Sequence, residues 1–598
     1  MSNAPLHRPP FGTLEQARAT LLQYFGYPDF RPPQIRAVEA VLSGRDALIV
    51  LPTGGGKSLC FQVPALVRGG LTIVVSPLIS LMKDQVETLG RKGIDAAYIN
   101  STLSAEEVAN RMARARDGSL RMLYLAPERL EAGRALQQLR AIEVTLLAVD
   151  EAHCISEWGH DFRPSYRRIG NIREQLGSPQ TVALTATATP DVRNDIARQL
   201  LLHQPEVVVG GFDRTNLTYH VVPTRTQREK DLTAIAWLRD APGAAVVYTP
   251  TRKAVERVTA VLVRGGIRAS AYHGGLNDRL RQRAQDAFME ERSRVIVATS
   301  AFGMGIDKPD VRVVVHHCMP GTLESYYQEA GRAGRDGQPS TCVLLHNYAD
   351  RFTHEYFINS THAERADVER IWQALRENAD HDGMMSLPIG ALAACTPGRI
   401  SEPRASAALR ALLRAGACEQ VLPSMHDVWV RLTAAPVRIR RELREERAPE
   451  LEVLRALWRA VGARLESGAA INLKCLSPKL GGTMGIIPVL QRLEAQQFLT
   501  WARRGGGIRL DPRSRDASWL PVDWNAMARR RQADMARLDA VQRYAQTRQC
   551  RRAFVLRYFG DPGVRSPCGA CDRCLGLTAS PAGAGHRPSA LARSRLLT

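Results

Sequence analysis

A short apolar run that enters a glycine-rich turn constrains this chain more than any other feature. The run Ala47–Leu51 has the character of a buried strand, and an apolar stretch of helical type follows the turn. Glycines let the backbone curl so that its N–H groups point at phosphate oxygens. Lys57 would then reach the β- and γ-phosphates of a nucleotide, and Ser58 would ligate Mg²⁺. Leu51 replaces the first glycine of the strict motif. A turn without a role in phosphate binding is therefore the alternative for this stretch when it is taken alone. The predicted phosphate loop comprises Thr53, Gly54, Gly55, Gly56, Lys57 and Ser58.

Short apolar runs alternate with helical stretches through the first 350 residues. Such runs indicate strands of a parallel sheet that helices cover on both faces, and ligands bind such sheets at the carboxyl ends of the strands. Two series of runs predict an α/β fold with two tandem parallel-sheet domains. The first series is Ala47–Leu51, Leu71–Val75, Met122–Leu125, Leu146–Val149 and Val182–Leu184. The second series is Ala244–Tyr248, Arg294–Ala298, Val311–Val315 and Cys342–Leu345.

Two adjacent acids follow one of these predicted strands. Asp150 and Glu151 come directly after the run Leu146–Val149, where carboxylates are costly unless a cation or another partner neutralises them. Asp150 could hold Mg²⁺, directly or through water, and Glu151 could orient and deprotonate the water that attacks a γ-phosphate. An acidic strand end that caps the next helix is the alternative. The phosphate loop upstream favours the catalytic interpretation.

The charge of the chain points to a polyanionic partner. Its 598 residues suffice for about three to five domains, and 81 Lys and Arg against 60 Asp and Glu give a formal charge of +21. This balance favours nucleic acid, although a generally basic proteome is the alternative. No apolar run approaches the roughly 20 residues of a membrane helix. Residues 1–10 are polar and proline-rich without a signal core, so we expect a cytoplasmic protein that does not bind membranes.

Four of the 11 cysteines cluster late in the chain, at Cys550, Cys568, Cys571 and Cys574. In a cytosolic chain such a cluster indicates metal ligation rather than disulfides. Four thiolates fit a closed, tetrahedral, structural Zn²⁺ site. An iron–sulfur cluster is the alternative, because the spacing Cys-x-x-Cys-x-x-Cys occurs in those sites too.

Taken in order, these motifs resemble those of the RecQ family of superfamily 2 DNA helicases, which are of the DEAH type. The resemblance covers residues 12–348 and returns near 540–576. Within it, Tyr27–Gln34 resembles the adenine-binding segment of the family. The Gln34 amide can donate to and accept from an adenine edge. Tyr27 and Arg31 can stack on the two faces of the ring.

Two further segments resemble those that line the single-strand track of such helicases, Ser76–Gln85 and Ala126–Leu130. Hydroxyls, backbone N–H groups and a lysine suit phosphate contacts, which makes Ser76 and Lys83 candidate DNA-binding residues. Thr185–Thr187 resembles the motif that couples nucleotide state to domain closure in the family.

The stretch Cys154–Pro164 resembles the aromatic-rich loop that is characteristic of RecQ enzymes. Trp158 and Phe162 beside Arg163 form a candidate stacking platform for an unpaired base. The position of the loop just after Glu151 would let DNA contact influence the hydrolytic site. The alternative is that the two aromatic residues belong to the core, although such polar neighbours are unusual there.

In the second predicted domain, Gly211–Leu217 resembles the interdomain junction of the family. Further on, Ala298–Pro309 carries a second set of glycines. Gly303 and Gly305 would allow close backbone approach to phosphate, and the resemblance implies that Asp307 engages the ribose.

The stretch Gln328–Gly337 supplies the second half of the predicted catalytic set. If it is helical, residues three and four apart share one face, which places Arg332 and Arg335 together. We assign Arg335 as the arginine finger, Arg332 as its support, and Gln328 as a sensor of γ-phosphate or of water. Such an arginine is worth about 10³–10⁵ in rate. An exposed, charged helix is the alternative.

The pattern of helix, helix and short paired strands appears twice between the motor and the cysteines, which predicts two winged-helix-like units. The wing of the second unit is predicted from Phe498–Trp501 and Gly507–Leu510. Arg404, Arg410 and Arg414 are candidate phosphate contacts, with solvated surface arginines as the alternative. The predicted domains are 1–210, 211–350, 351–445, 446–518, a helical zinc module at 519–576, and a disordered tail at 577–598.

The resemblance therefore implies an ATP- and Mg²⁺-dependent 3′→5′ DNA helicase that acts on single-stranded and duplex DNA in repair or recombination. Single-strand-binding or repair proteins are candidate partners. Two alternatives stay open at this point: a DNA-stimulated translocase or strand-annealing factor that unwinds poorly, and a nucleotide-gated DNA clamp without productive turnover. An RNA helicase is less favoured, because the aromatic loop and the zinc module point to DNA.

Overall fold

A computed structural model gives the architecture as two compact units. One unit runs to Glu355 and resumes at Gln532, and the other is Tyr356–Arg531. The structure describes residues 11–577 except 53, 101–102, 132, 157–158, 160–161, 240, 304–307, 380–382, 386, 422–425, 444–447, 477–481, 504–505, 513–519 and 562.

The first lobe of the first unit is a seven-stranded parallel sheet with strand order β3-β4-β2-β5-β6-β1-β7. The central strands are apolar and buried on both faces, as a sheet between two helical layers requires. Its strands are β1 Ala47–Val50, β2 Leu71–Val75, β3 Ala96–Ile99, β4 Met122–Leu125, β5 Val144–Val149, β6 Gln180–Thr185 and β7 Glu206–Val209. Its helices are α1 Leu14–Thr20 with a π-helical extension Leu21–Phe25, α2 Pro32–Leu42, α3 Leu59–Arg68, α4 Ile79–Arg91, α5 Ala105–Arg116, α6 Pro127–Glu131, α7 Gly133–Arg140, α8 Ile169–Gln175 and α9 Pro190–Gln199.

The strand order brings three motif-bearing strand ends to one edge of this sheet. β6 lies between β5 and β1, with Val149 opposite Ala183 and Val50 opposite Thr185. The phosphate loop follows β1, the acid pair follows β5, and β6 ends at Thr185. Ligands of parallel sheets bind at such a carboxyl edge, so the fold itself gathers these motifs.

The second lobe is a six-stranded parallel sheet with order β10-β11-β9-β12-β13-β8. Together with the first sheet it confirms the predicted α/β fold class with two tandem parallel-sheet domains. Its strands are β8 Leu217–Pro223, β9 Ala244–Tyr248, β10 Ala269–Tyr272, β11 Val295–Ala298, β12 Val311–His316 and β13 Ser340–His346. Its helices are α10 Gln227–Arg239, α11 Arg252–Arg264, α12 Asp278–Met289 and α13 Leu323–Ala330, and α14 Asp350–Thr361 continues into the second unit.

The second unit contains two small antiparallel sheets, ordered β14-β19-β15 and β17-β16-β18. Each packs with its own helices around a separate apolar core. The strands are β14 Met384–Met385, β15 Cys418–Val421, β16 Asp427–Leu432, β17 Ala469–Asn472, β18 Leu499–Arg503 and β19 Gly507–Leu510. The helices are α15 Arg365–Asn378, α16 Ile389–Cys395, α17 Glu402–Arg414, α18 Pro436–Glu442, α19 Ala448–Val461, α20 Arg464–Ser467 and α21 Gly482–Ala495.

The pairing of β19 corrects the predicted wing. β19 pairs with β15, where Cys418 lies opposite Leu510, whereas β18 pairs with β16. The second sheet is thus inserted in the chain between two strands of the first, and a boundary at 445/446 divides the second sheet. Alternating apolar and polar residues identified the strands in the sequence. The short connection between β18 and β19 favoured a hairpin, but the two strands belong to different sheets that pack on different cores.

The chain returns to the first unit within α22, Trp524–Gln546, and continues into α23, Arg551–Tyr558. We call residues 547–577 the cysteine module. It fastens to β8, the edge strand of the second lobe: the Asp572 N–H donates to the Tyr219 carbonyl at 3.0 Å, and the Val221 N–H donates to the Asp572 carboxylate at 3.1 Å. Among the described residues, no helix has both the length and the apolar character to cross a membrane.

Candidate active site

Arg31 and Gln34, which the sequence predicts to bind adenine, hydrogen-bond to backbone carbonyls of the phosphate loop. Gly54 and Gly56 have φ of +79° and +72°, so the turn uses backbone angles that favour glycine. The Gln34 amide donates to the Gly55 carbonyl at 2.8 Å and accepts from the Arg31 N–H at 2.8 Å. Arg31 donates to the Gly54 carbonyl at 3.1 Å. Adenine recognition by Gln34 stays a prediction. It requires the Gln34 amide to give up its bonds to Arg31 and Gly55 and to form new ones with the base.

Replacing Gly56 by Ala is expected to weaken ATP binding by about tenfold, because a Cβ there would lie 2.4 Å from the Gln34 amide nitrogen. Gly54→Ala is the matched control, since its φ is equally positive but its Cβ meets nothing within 4 Å. Fluorescent-nucleotide titration measures both variants. Equal losses in the two would show that backbone strain, rather than the contact with Gln34, is responsible.

The acid pair lies at the end of β5, where Glu151 is buried and strained and Asp150 is partly buried. Glu151 adopts the left-handed conformation, with φ of +47°, which is uncommon for a residue with a side chain. Its N–H donates to the Asp150 carboxylate at 2.9 Å. Burial and the Glu151 charge raise the pKa of Asp150 to about 7, although nearby Lys57 opposes this shift. A divalent cation would favour the ionised form of Asp150. The Asp150 carboxylate and the Ser58 hydroxyl are oxygen ligands of the kind that suits Mg²⁺.

His153 connects this acid pair to the next strand, a role that the sequence did not assign. Its Nδ1 lies 3.3 Å from a Glu151 carboxylate oxygen and 2.9 Å from the Thr185 hydroxyl. That hydroxyl donates to the Thr187 carbonyl at 3.2 Å. Burial lowers the pKa of His153, but its contacts with Cys154 and Glu151 outweigh burial and raise it to about 10. The imidazole therefore joins the proposed base to the stretch predicted to couple nucleotide state to closure.

The arginines of the second lobe lie on turns rather than on a helix. α13 ends at Ala330, and Gly331 caps it, so the helix on which a shared face of Arg332 and Arg335 depended does not reach them. Gln328 stays on α13. The physical cause lies in the glycines, since Gly334 has a φ of +53°, which an α-helix does not accommodate.

Arg332 is a supported residue rather than part of an exposed face. It is 6% exposed and lies beside Tyr248, whose hydroxyl donates to the Phe302 carbonyl at 2.9 Å. A Cβ on Gly303 would lie 3.2 Å from the Arg332 guanidinium. Burial raises the pKa of the Tyr248 hydroxyl. The alternative of an exposed, charged helix therefore does not describe this segment.

The candidate DNA-binding residues differ in their surroundings. Lys83 has a side chain that is 61% exposed and lies 3.7 Å from Glu87, so it can reach a phosphate. Ser76 is 1% exposed, and contact with DNA would require its segment to open. Arg163 donates to the Pro77 carbonyl at 2.9 Å and thereby ties the aromatic loop to the neighbouring track segment.

For the remaining predicted site residues, the structure gives either the exposure alone or no description. Phe162 is half-buried, and Tyr27 is 55% exposed and open to a ring contact. Predicted residues that lie outside the described part of the chain are Thr53, Trp158, Gly305 and Asp307, together with the tail 578–598.

Arg404 of the second unit has an internal partner, which corrects its assignment as a phosphate contact. Its Nε donates to the Asp367 carboxylate at 2.9 Å, and Asp367 is fully buried. A buried carboxylate requires such a cation, because an unpaired charge there is strongly unfavourable. Arg410 is exposed and stays available.

The four late cysteines converge on one point. The sulfur atoms of Cys550, Cys568, Cys571 and Cys574 all lie within 4.8 Å of one another. Those of Cys568 and Cys574 are 3.8 Å apart. Tetrahedral Zn–S bonds of about 2.3 Å place sulfurs about 3.8 Å from each other, so one ion at the centre reaches all four.

Contacts within the cluster shift the pKa values of two thiols in opposite directions. A hydrogen bond from Cys568 lowers the pKa of Cys571 to about 4, and the same contact raises that of Cys568. Metal binding deprotonates all four thiols. The compact donor set fits a single Zn²⁺ better than a larger iron–sulfur cluster, which needs its ligands farther apart.

Family models match three successive parts of the chain. A DEAD/DEAH box helicase model matches residues 31–196, a helicase conserved C-terminal domain model matches 228–337, and a RecQ zinc-binding model matches 514–575. These segments contain the phosphate loop, the arginine segment and the four cysteines, respectively.

Curated relatives match the same region. The chain is 46% identical over 371 residues to the ATP-dependent DNA helicase RecQ of Bacillus subtilis, covering 62% of each protein. It is 42% identical to the enzyme of the same name from Pasteurella multocida, covering 60% of this chain and 56% of that protein. It is 41% identical to the probable ATP-dependent DNA helicase RecS of Bacillus subtilis, covering 61% of this chain and 74% of that protein. The match thus spans less than two thirds of both RecQ proteins. On these matches and the three family models in order, the chain belongs to the RecQ family of superfamily 2 DNA helicases.

Proposed function

We propose that this protein is an ATP- and Mg²⁺-dependent DNA helicase that moves 3′→5′ along single-stranded DNA. The observation that carries the proposal is the buried connection at the carboxyl edge of the first sheet. There the strained Glu151 contacts His153, which contacts Thr185, beside the acid Asp150 and the Lys57 loop. A mere nucleotide-binding fold has no need to keep an acid strained and buried at this point.

The residues divide the chemistry of ATP hydrolysis between the two lobes. Lys57 binds the β- and γ-phosphates, and Asp150 with Ser58 would hold Mg²⁺, which would supply positive charge next to those phosphates. Glu151 orients the attacking water and accepts its proton. Arg335 stabilises the charge that develops on the transferred phosphate, and Arg332 supports it. Loss of the γ-phosphate releases the closed lobes, and repeated closure advances the DNA.

The relatives named DNA helicases support DNA as the substrate, and the +21 charge is consistent with it. The Lys83 segment and the aromatic loop would contact the single strand. Zn²⁺ at the four cysteines would hold the cysteine module against the second lobe. The location in the cytoplasm, the role in repair or recombination, and any single-strand-binding partner stay predictions.

The insertion Tyr356–Arg531 favours a second candidate, a DNA-stimulated translocase or strand-annealing factor that separates strands poorly. In the sequence this unit separates the motor from the cysteine module, and the strands of one of its sheets lie between two strands of the other along the chain. A nucleotide-gated clamp is less consistent with the site, because a clamp has no use for the strained Glu151.

A duplex with a 3′ single-stranded tail is expected to be unwound in the presence of ATP, whereas a duplex with a 5′ tail is not. Gel-resolved strand separation with both substrates measures the polarity. A blunt duplex serves as the control for loading. Opening of the 5′-tailed duplex alone would reject the proposed direction, and ATP hydrolysis stimulated by DNA without opening either duplex would favour the translocase.

A further inference from the structure

Side chains of the junction between the lobes, Arg214 foremost, hydrogen-bond to the loop that carries Arg332 and Arg335. The Arg214 guanidinium donates to the carbonyl of Gly331 at 3.1 Å and to those of Ala333 and Gly334 at 2.9 Å each. These carbonyls flank Arg332 on both sides and immediately precede Arg335. The planar fork of an arginine can hold several acceptors in one fixed geometry, which a lysine cannot do.

Asn216 completes this attachment. Its amide donates to the Gly334 carbonyl at 2.8 Å and to the Gln338 carbonyl at 3.0 Å. The fit at Gly334 is close, because a Cβ there would lie 2.5 Å from the Asn216 amide nitrogen. The arginine loop therefore takes its position from the junction as well as from its own lobe.

The junction is held in turn by the cysteine module. Arg552 lies in the first turn of α23 and donates to the carbonyls of Thr215 at 3.2 Å and Leu217 at 2.7 Å. Its Nε lies 3.4 Å from the Asp213 carboxylate. Arg552 is 7% exposed, so these bonds are shielded from water. α23 begins directly after Cys550, whose sulfur accepts from the Ala553 N–H.

We propose that Arg214 is a positioning residue for the arginine finger, and that Arg552 extends this control to the cysteine module. The module then sets the rate of ATP hydrolysis through segment 213–217 rather than through contact with the nucleotide. This inference rests on the proposed function, since it requires that Arg335 acts on the γ-phosphate.

The test measures steady-state ATP hydrolysis by the full chain with saturating single-stranded DNA. Arg214→Lys keeps the charge but loses the fork, and we expect kcat to fall by about 10²-fold while KM for ATP hardly changes, because a misplacement of about 1 Å has that effect. Arg552→Lys should lower kcat by about tenfold, with the zinc content unchanged. Combining Arg214→Lys with Arg335→Ala should cause no loss beyond that of Arg335→Ala, because both act through one group.

Arg173→Lys is the matched control. Arg173 is a buried arginine of the first lobe that also donates to backbone carbonyls, those of Pro179 and Leu200 among them, and it pairs with Asp46. Its replacement should lower the melting temperature without changing kcat per folded molecule. If Arg214→Lys behaves in the same way, Arg214 is merely structural and the inference is overturned.

The remaining outcomes separate this inference from the proposed function. Full activity of Arg335→Ala would reject the arginine finger itself, and the inference with it. An inactive Arg335→Ala beside a fully active Arg214→Lys would overturn only the inference. Additive losses in the double variant would also overturn it, and an unaffected Arg552→Lys would remove the cysteine module from the control.

Discussion

Replacing Glu151 by Gln is expected to reduce DNA-stimulated ATP hydrolysis by about 10²–10⁴-fold, the range for loss of a positioned general base. The amide keeps the shape of the side chain but cannot accept a proton from water. ATP affinity should persist, because Lys57 and the backbone of the phosphate loop bind the phosphates independently of this carboxylate. Hydrolysis assays with and without single-stranded DNA, together with nucleotide titration, measure the two effects separately.

Glu206→Gln provides a matched control on the same sheet. Glu206 begins β7 opposite Ala47, at the amino edge, and it pairs with the exposed Arg36 at 2.7 Å. Loss of this carboxylate should leave hydrolysis intact, because the site lies at the carboxyl edge. A Glu151→Gln variant that hydrolyses ATP as fast as Glu206→Gln would contradict the assignment of the base.

Replacing Cys571 by Ser is expected to abolish stoichiometric metal binding and to unfold the cysteine module. In small zinc peptides the metal supplies about 10–16 kcal/mol of apparent folding free energy, and one lost thiolate removes much of it. Because Arg551 and Asp572 form a buried pair at 2.8 Å within this module, its loss also exposes two charges. Elemental analysis and thermal unfolding of the full chain measure both consequences.

Cys475→Ser is the control for this experiment, since Cys475 is an exposed, free thiol of the second unit. It should change neither the metal content nor the melting temperature. Iron and sulfide in the purified protein, instead of one zinc per chain, would show that the four cysteines hold an iron–sulfur cluster rather than Zn²⁺. A metal-free protein with unchanged stability would reject a structural site altogether.

Local chemistry made the first-lobe motifs predictable. The phosphate loop and the acid pair each follow a buried apolar run, and the carboxyl edge of a parallel sheet brings such ends together wherever the strands are adjacent. The metal site was equally predictable, because the spacing of cysteines along the chain is a local property of the sequence. In these cases the sequence pattern and the physical requirement coincide.

Partners distant in sequence were not predictable from such patterns. Gly507–Leu510 looks like half of a hairpin, and only the two separate cores decide that it pairs with Cys418–Val421. A helix cannot continue through Gly334, whose φ is +53°, and the apparent helical spacing of the arginines conceals this. Arg404 looked solvent-facing or DNA-facing because nothing local announces its pairing with Asp367, and His153 carried no separate signal beyond its place beside Glu151.

The attachment of the cysteine module to β8 has a consequence for the newly made chain. β8 is an edge strand, and its unpaired N–H and C=O groups can template pairing with other molecules. The residue that caps it, Asp572, lies 351 positions after Val221. During synthesis the edge therefore stays open until another 351 residues have followed Val221, and loss of the metal should open it again. Zinc supply should consequently govern how much of this protein escapes aggregation, independently of any effect on the motor.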